Sequence, residues 1–162
     1  MTIREATKND IMLVSPLIAK FRVKLKSYKN IQIPENIAAA QDEFFEYLDA
    51  GFPVFLCMEG THCIGYMVCR VNKPTVWVES IFVLEEHRRR GAASLLFQQA
   101  EALAQYYGSS TVFNYVHPNN AGMIQFLAAH GYTVLNLIEI RKPYPAEVTS
   151  NKIQVGNHIF DY

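Results

Sequence analysis

Residues 76–96 have the sequence VWVESIFVLEEHRRRGAASLL, and this stretch predicts the centre of the fold. Its first half is apolar, β-branched and aromatic, which is typical of a mostly buried strand. A charged turn follows and ends at Gly91. After it, apolar residues recur at helical spacing from Ala92 to Tyr107. The stretch therefore predicts a strand, a tight turn and a long helix in direct succession.

The turn between this strand and this helix predicts an anion-binding site. The first N–H groups of a helix have no partner within the helix, and the helix dipole adds partial positive charge to them. Arg88, Arg89 and Arg90 raise the local potential, while Gly91 and Ala93 let a ligand approach the backbone closely. We therefore expect a ligand with phosphate groups. The nucleotide-binding motifs GxGxxG and GxxxxGK[ST] are both absent from the sequence.

The motif Arg88-x-x-Gly91-x-Ala93 follows a strand that ends in Ile81-Phe82-Val83. It resembles the acetyl-CoA signature of the GNAT N-acetyltransferases, (Q/R)-x-x-G-x-(G/A), in which backbone amides of the turn hold the pyrophosphate of coenzyme A. The alternative is an ordinary strand–turn–helix with solvated arginines. The resemblance implies that coenzyme A binds at Phe82, Val83, Arg88, Arg89, Arg90, Gly91, Ala92, Ala93, Ser94 and Asn120.

Composition and length limit the class of protein. The 162 residues are half hydrophobic and 19% charged, as in a soluble globular protein, and the length predicts a single domain. A net charge of zero argues against a nucleic-acid partner. The apolar runs are too short to span a membrane, and the first residues predict a strand rather than a signal segment. We expect a cytoplasmic protein.

Cysteine spacing argues against a metal site. Cys57, Cys63 and Cys69 are odd in number, lie in strand-like runs and are six residues apart. This spacing does not match pairs of zinc ligands, and no histidine–cysteine cluster surrounds them. We predict buried, reduced thiols and no bound metal.

The order of the predicted elements is β-α-α-β-β-β-α-β-α-β-β, an α+β fold with a mixed central sheet flanked by helices. This order resembles the GNAT core over nearly the whole chain. The predicted helices run from Thr7 or Asn9 to Lys26, over Glu35–Ala50, from the Gly91 turn to Tyr107, and from Asn119 or Asn120 to Gly131. The predicted strands beside the central one are Thr2–Ala6, Pro53–Met58, Cys63–Val71, Thr111–Val116, Tyr132–Arg141 and Lys152–Phe160.

A second segment, Asn120-x-x-Met123…Phe126-Leu127-x-x-x-Gly131-Tyr132, resembles the second GNAT signature, N-x-x-A…Y-x-x-x-G-F. Met123 replaces a small residue, and Leu127 stands where the family often has tyrosine. Asn120 is implied to lie beside the pantetheine arm, although a plain helix cap is the alternative. Because leucine has no proton to give, the leaving thiolate would be assisted by a helix dipole, by water or by another tyrosine such as Tyr115.

Acetyl transfer to an amine needs a base, because an amine of pKa about 10.4 is protonated at pH 7. Glu79 is the candidate base, since it lies mid-strand and GNAT members often carry an acidic residue near this point, close to a bulge. An ordinary strand glutamate is the alternative. His117, at the end of the next predicted strand, is the reserve candidate, and a surface histidine is its alternative.

The acceptor is the least determined part of the prediction. In the family, the two N-terminal helices wall the acceptor site. Here they carry aromatic and acidic residues, which would suit a cationic amine, whether a small molecule or a lysine side chain. An amphipathic helix with an acidic outer face explains the same residues. They are Phe21, Tyr28, Phe44, Phe45, Tyr47, Asp42, Glu43, Glu46 and Asp49.

Two functions and two assembly states therefore follow from the sequence. The first function is an acetyl-CoA-dependent N-acetyltransferase, and the second is a non-catalytic coenzyme A-binding sensor or scaffold of the same fold. Residues 143–162 form a C-terminal extension with enough apolar surface to need a partner. That partner is either the chain's own Tyr132–Arg141 strand or the sheet of a second subunit, and we expect a homodimer.

Overall fold

The computed structural model describes residues 1–149 and 151–162, which form two compact units, 1–126 and 127–162. Helix α4 passes from one unit into the other. The helices are α1 (Ile11–Ser27), α2 (Ile37–Asp49), α3 (Ala92–Tyr106) and α4 (Ala121–Ala129). The strands of the first unit are β1 (Thr2–Glu5), β2 (Val54–Glu59), β3 (His62–Asn72), β4 (Thr75–Val83) and β5 (Phe113–Asn114).

The first unit is built on a five-stranded mixed sheet. The strand order is β1-β2-β3-β4-β5, with antiparallel neighbours up to β4 and a parallel β4–β5 pair. Tyr66 and Val68 of β3 belong to one buried cluster with α1 and α2. The alternate residues Met67 and Cys69 are equally buried outside that cluster, while α3 packs on β2, β3 and β4. Helices therefore cover both faces of the sheet, and the predicted α+β class is confirmed.

The predicted strand, turn and helix at residues 76–96 are all present, as β4, a turn that begins with one 3₁₀ turn, and α3. Gly65 on β3 lies opposite Val83 at the end of β4. A Cβ atom at Gly65 would lie 2.9 Å from the backbone oxygen of Phe82. Glycine thus allows β3 to approach closely where the chain leaves β4 for the turn.

Two strand predictions need correction. Strand Thr111–Val116 is present only as Phe113–Asn114, because β5 pairs with β4 at just two positions, Trp77 and Val78. The predicted strand Tyr132–Arg141 is wrong. It had the right composition, but a strand also needs a neighbour for its backbone groups. Among the residues that the structure describes, none pairs with this segment.

The second unit ends in a hairpin of β6 (Lys152–Val155) and β7 (His158–Asp161), where the sequence had predicted one strand over Lys152–Phe160. Gly156, with φ +59°, lies in the turn between them. The tail therefore pairs with itself and not with residues 132–141.

The predicted buried thiols are confirmed. Cys57, Cys63 and Cys69 are buried and free, and burial raises the pKa of Cys63 to about 11 and that of Cys69 to about 12. Within residues 1–149 and 151–162, no group of three His, Cys, Asp or Glu residues could hold a metal ion. No helix in that part of the chain is long and apolar enough to cross a membrane.

Asp10 anchors the start of α1, and its replacement should cost stability. Its carboxylate accepts hydrogen bonds from Arg4, at 2.5 and 2.9 Å, and from the backbone N–H of Thr7 at 2.8 Å. The Arg4 hydrogen bonds, opposed by burial, lower the pKa of Asp10 to about 2. Because the folded pKa lies below the unfolded one, the stabilisation is complete above about pH 4 and is lost as the pH falls toward 2.

We expect Asp10→Asn to lower the free energy of unfolding at pH 7 by about 1–2 kcal/mol, with urea unfolding as the measurement. Asp49→Asn is the control, because the Asp49–Lys8 pair at 3.1 Å is about two-thirds exposed on both sides. Its effect should stay within about 0.5 kcal/mol. Equal effects of the two variants at pH 7 would contradict this assignment.

Candidate functional site

The turn after β4 presents a row of backbone donors. Arg89 has φ +60° and Gly91 has φ +89°, so the chain turns sharply before α3 begins at Ala92. The first backbone bond of α3 runs from the Leu95 N–H to the Gly91 oxygen. Among the described residues, none accepts a hydrogen bond from the backbone N–H groups of residues 89–93. This group of amides at a helix N-terminus has the chemistry that phosphate oxygens need.

The three arginines of the turn have different roles in the structure. Arg88 Nε donates to the backbone oxygen of Val83 at 3.0 Å. Arg90 forms an ion pair with Glu59 of β2 at 2.7 Å. The Arg89 side chain is exposed and has no ion pair or hydrogen bond with the described residues. Arg89 is therefore the arginine that is free to contact a phosphate directly.

The other residues predicted to hold coenzyme A lie around the same turn. Phe82 is half-buried beneath the Arg88 guanidinium, 5.6 Å from its ring centroid, and Val83 is buried. Ala92 is also buried, whereas Ala93 and Ser94 are half-buried in the first turn of α3. The structure thus brings the strand end and the turn together.

Strand β4 continues beyond its last contact with β5. The two strands pair only at Trp77–Phe113 and Val78–Asn114, and β4 then runs on through Glu79–Val83. These residues span about 13 Å along the strand. Their edge on the β5 side lacks a neighbouring strand among the described residues. An extended ligand with amide groups can pair with such an edge as an added strand would.

Glu79 lies at a bulge where this open edge begins. Val68 pairs with Ser80 and Cys69 pairs with Val78, which leaves Glu79 as the extra residue of β4. The bulge turns its side chain away from the regular alternation, and Glu79 is exposed. The nearest cation is Arg70 of β3, whose Nε lies 3.7 Å from Glu79 Oε2. The candidate base is therefore accessible. It lies at one end of the open edge, and the phosphate turn lies at the other end.

His117 and Asn120 lie together at the end of α1. The Tyr28 ring stacks on His117 with 5.8 Å between the centroids, and the Tyr28 hydroxyl donates to Asn120 Oδ1 at 3.0 Å. Asn120 Oδ1 also accepts the backbone N–H of Met123 at 3.2 Å, so it caps α4. Burial, with a smaller effect of the Lys29 charge, lowers the pKa of His117, which favours its neutral form.

Much of the predicted acidic and aromatic wall is structural. Phe44 is fully buried in the core. Glu43 accepts two hydrogen bonds from Arg22, at 2.5 and 2.7 Å, and also bonds the Tyr47 hydroxyl. The Glu43 carboxylate is therefore engaged within the protein, which favours the interpretation as an amphipathic helix.

One charged residue near Glu79, Arg70, was not among the residues predicted from the sequence. The Arg70 guanidinium lies near two aromatic rings, with its Cζ 4.9 Å from the Trp77 ring centroid and 5.7 Å from that of Tyr115. The available signal was an arginine near the end of the otherwise apolar run Cys63–Val71. Tyr115, the predicted alternative proton donor, thus lies on the same side of the sheet edge as Arg70 and Glu79.

Comparisons with known proteins show the family and the fold of the chain. The family model described as the acetyltransferase (GNAT) family matches residues 24–132, more than half of the chain. No curated protein gives a significant sequence match.

Several solved structures share the fold. AAC(6')-Iy, in complex with the bisubstrate analogue CoA-S-monomethyl-acetylneamine, has a TM-score of 0.68 and 21% identity over 88% of this chain and 98% of that one. The aminoglycoside 6'-N-acetyltransferase AAC(6')-IG from Acinetobacter haemolyticus has a TM-score of 0.67 and 17% identity over 90% and 100%. A variant of the BH1408 protein from Bacillus halodurans has a TM-score of 0.73 and 18% identity over 90% and 100%.

Proposed function

Because the chain belongs to the GNAT acetyltransferase family, we propose that it is an enzyme that transfers an acetyl group from acetyl-CoA to a primary amine. One observation carries the proposal. The open edge of β4 joins an accessible carboxylate, Glu79, to the turn at residues 89–93, whose amides have no acceptor among the described residues. The similar structures include aminoglycoside N-acetyltransferases, one with coenzyme A and one with a coenzyme A-containing bisubstrate analogue, which supports an amine as the acceptor class.

The residues present fit coenzyme A. The amides of residues 89–93 and the Arg89 guanidinium would hold the pyrophosphate, and the open edge from Val83 back to Glu79 would pair with the pantetheine amides. Arg88 now covers the Val83 oxygen, so this contact would have to open for a ligand amide to donate there. Asn120 would approach the pantetheine arm from the start of α4.

In the proposed reaction, Glu79 accepts a proton from the acceptor ammonium, directly or through a water molecule. The free amine then attacks the thioester carbonyl carbon, a C–N bond forms, and the C–S bond breaks. The second proton of the attacking nitrogen passes to the leaving thiolate, through water or through a hydroxyl such as that of Tyr115, and Glu79 returns its proton to the solvent. Positioning of the two substrates supplies much of the rate, because the thioester is already activated.

A thiol-release assay tests the proposal. The protein is incubated with acetyl-CoA and a panel of primary amines, and both free thiol and acetylated amine are measured. We expect amine-dependent thiol release that matches the amount of acetylated product. Tight binding of coenzyme A without release for any amine would instead indicate the non-catalytic sensor or scaffold.

We also propose that the protein is a homodimer formed partly by the second unit. Val134 is 86% exposed and Leu135 and Leu137 are each 70% exposed, so this segment presents a large apolar surface. Light scattering coupled to size exclusion should give about twice the 18.5 kDa chain mass, and a chain that ends at Ala129, after α4, should run as a monomer. A full-length chain at 18.5 kDa at micromolar concentration would rule out the dimer.

A further inference from the structure

The Arg70 side chain contacts two aromatic rings but has few polar partners. Its guanidinium is placed by the Trp77 and Tyr115 rings, and its side chain is 39% exposed. The 3.7 Å separation from Glu79 is too long for a hydrogen bond. Among the residues that the structure describes, none accepts a hydrogen bond from this guanidinium. Arg70 therefore presents a planar set of donors to the solvent beside the candidate base.

The other arginines show that this is unusual in the molecule. Five of the seven arginines donate hydrogen bonds to protein oxygens at 2.5–3.0 Å. Arg89, on the phosphate turn, and Arg70 donate none to the residues that the structure describes. One of these arginines thus lies where the proposed donor places its pyrophosphate. The other lies where the acceptor must approach Glu79.

The charges around Glu79 do not favour a polycation. Arg70 is the nearest cation to Glu79, and the Lys29 charge is close enough to lower the pKa of His117. The α2 acid Glu43 is engaged with Arg22, and Asp49 is paired with Lys8. An acceptor with several positive charges would meet the like charge of Arg70 directly beside Glu79.

We propose that Arg70 binds a carboxylate of the acceptor and that the acceptor class is the α-amino acids. This inference rests on the proposed function. In an amino acid a single carbon separates the ammonium from the carboxylate, which matches a base and a guanidinium 3.7 Å apart. The carboxylate takes two parallel N–H donors of Arg70, and the ammonium gives its proton to Glu79. Arg70 is then a specificity-determining residue, because the carboxylate of the acceptor supplies the negative charge that pairs with its guanidinium.

Trp77 provides a binding readout that does not depend on turnover. It is the one tryptophan in the sequence, and Arg70 lies over its ring. With coenzyme A present, titration of a mixture of free amino acids, and then of each one, should give a saturable change in tryptophan fluorescence. The corresponding amino acid amides and spermidine should give none at the same concentrations. Arg70→Gln should abolish the change, and Arg70→Lys should restore part of it, because lysine keeps the charge without the two parallel donors.

The same variants are then compared in the thiol-release assay. We expect kcat/KM for the best amino acid to exceed that for its amide by about 10–100-fold, since a charge-assisted hydrogen bond is lost. Arg70→Gln should remove this preference mainly through KM. Lys20→Gln removes one exposed positive charge from α1 and should keep the preference for the amino acid over its amide.

The outcomes separate this inference from the proposed function. Equal use of an amino acid and its amide, or a preference that survives in Arg70→Gln, would overturn the carboxylate assignment while acetyl transfer stands. Absence of thiol release for all amines would overturn the proposed function. In that case the fluorescence titration still decides whether Arg70 binds amino acids.

Discussion

Replacement of Glu79 by glutamine should lower kcat about 10²–10⁴-fold while the affinity for acetyl-CoA barely changes. Glutamine keeps the size and the hydrogen-bonding groups but cannot accept the proton of an ammonium. Glu79 lies at the bulge of β4, several residues from the phosphate turn, so coenzyme A contacts should persist. The measurements are steady-state kinetics with a saturating amine and calorimetric titration with coenzyme A.

Glu5→Gln is the matched control, because Glu5 is exposed on β1 at the opposite edge of the sheet. It should retain full activity. Rates for Glu79→Gln equal to the parent across pH 6 to 9 would remove Glu79 from the mechanism. His117, whose lowered pKa keeps it neutral, would then be the next residue to replace.

Gly91→Pro should weaken coenzyme A binding by at least about 100-fold, because the change acts on the phosphate turn in two ways. Gly91 has φ +89°, which proline cannot adopt, and its N–H is one of the unpaired donors. The turn would therefore change shape and lose a donor at the same position. Calorimetric titration with coenzyme A measures the effect.

Gly108→Pro serves as the control for structural damage, because Gly108 lies just beyond the other end of α3 with φ +83°. Its N–H also takes part in a bond, to Gln105. We expect this variant to lose at least as much stability as Gly91→Pro and to bind coenzyme A as the parent does. If Gly91→Pro bound coenzyme A as tightly as the parent, the phosphate site would lie elsewhere.

The strand, turn and helix of residues 76–96 could be predicted because their signals are local. Each signal is read from residues that are neighbours in the sequence: the composition of the strand, the glycine at position 91 and the helical spacing of the apolar residues. The choice of Glu79 also came from its place on the strand, and the structure has a bulge of β4 at this residue. Its role as a base stays a prediction.

The features that could not be predicted depend on residues far apart in the sequence. Residues 132–141 can form a strand only if a neighbouring strand pairs with their backbone groups. The composition of the segment does not show whether such a strand is present. Arg70 and Tyr115 are brought together by the sheet. Only the structure shows that Arg22 has a hydrogen-bonded partner while Arg70 has none within residues 1–149 and 151–162. The acceptor could not be predicted from the sequence, because the sequence does not show which charged side chains pair with each other in the fold.

The central claim is that coenzyme A lies along the open edge of β4 with its pyrophosphate on the turn. Backbone amide NMR shifts during titration with coenzyme A test it most directly. We predict large shifts for Arg89–Ser94 and slower hydrogen exchange along Glu79–Val83. Unchanged amides in both segments, with shifts confined instead to the cavity beside Met12, His62 and His87, would contradict it.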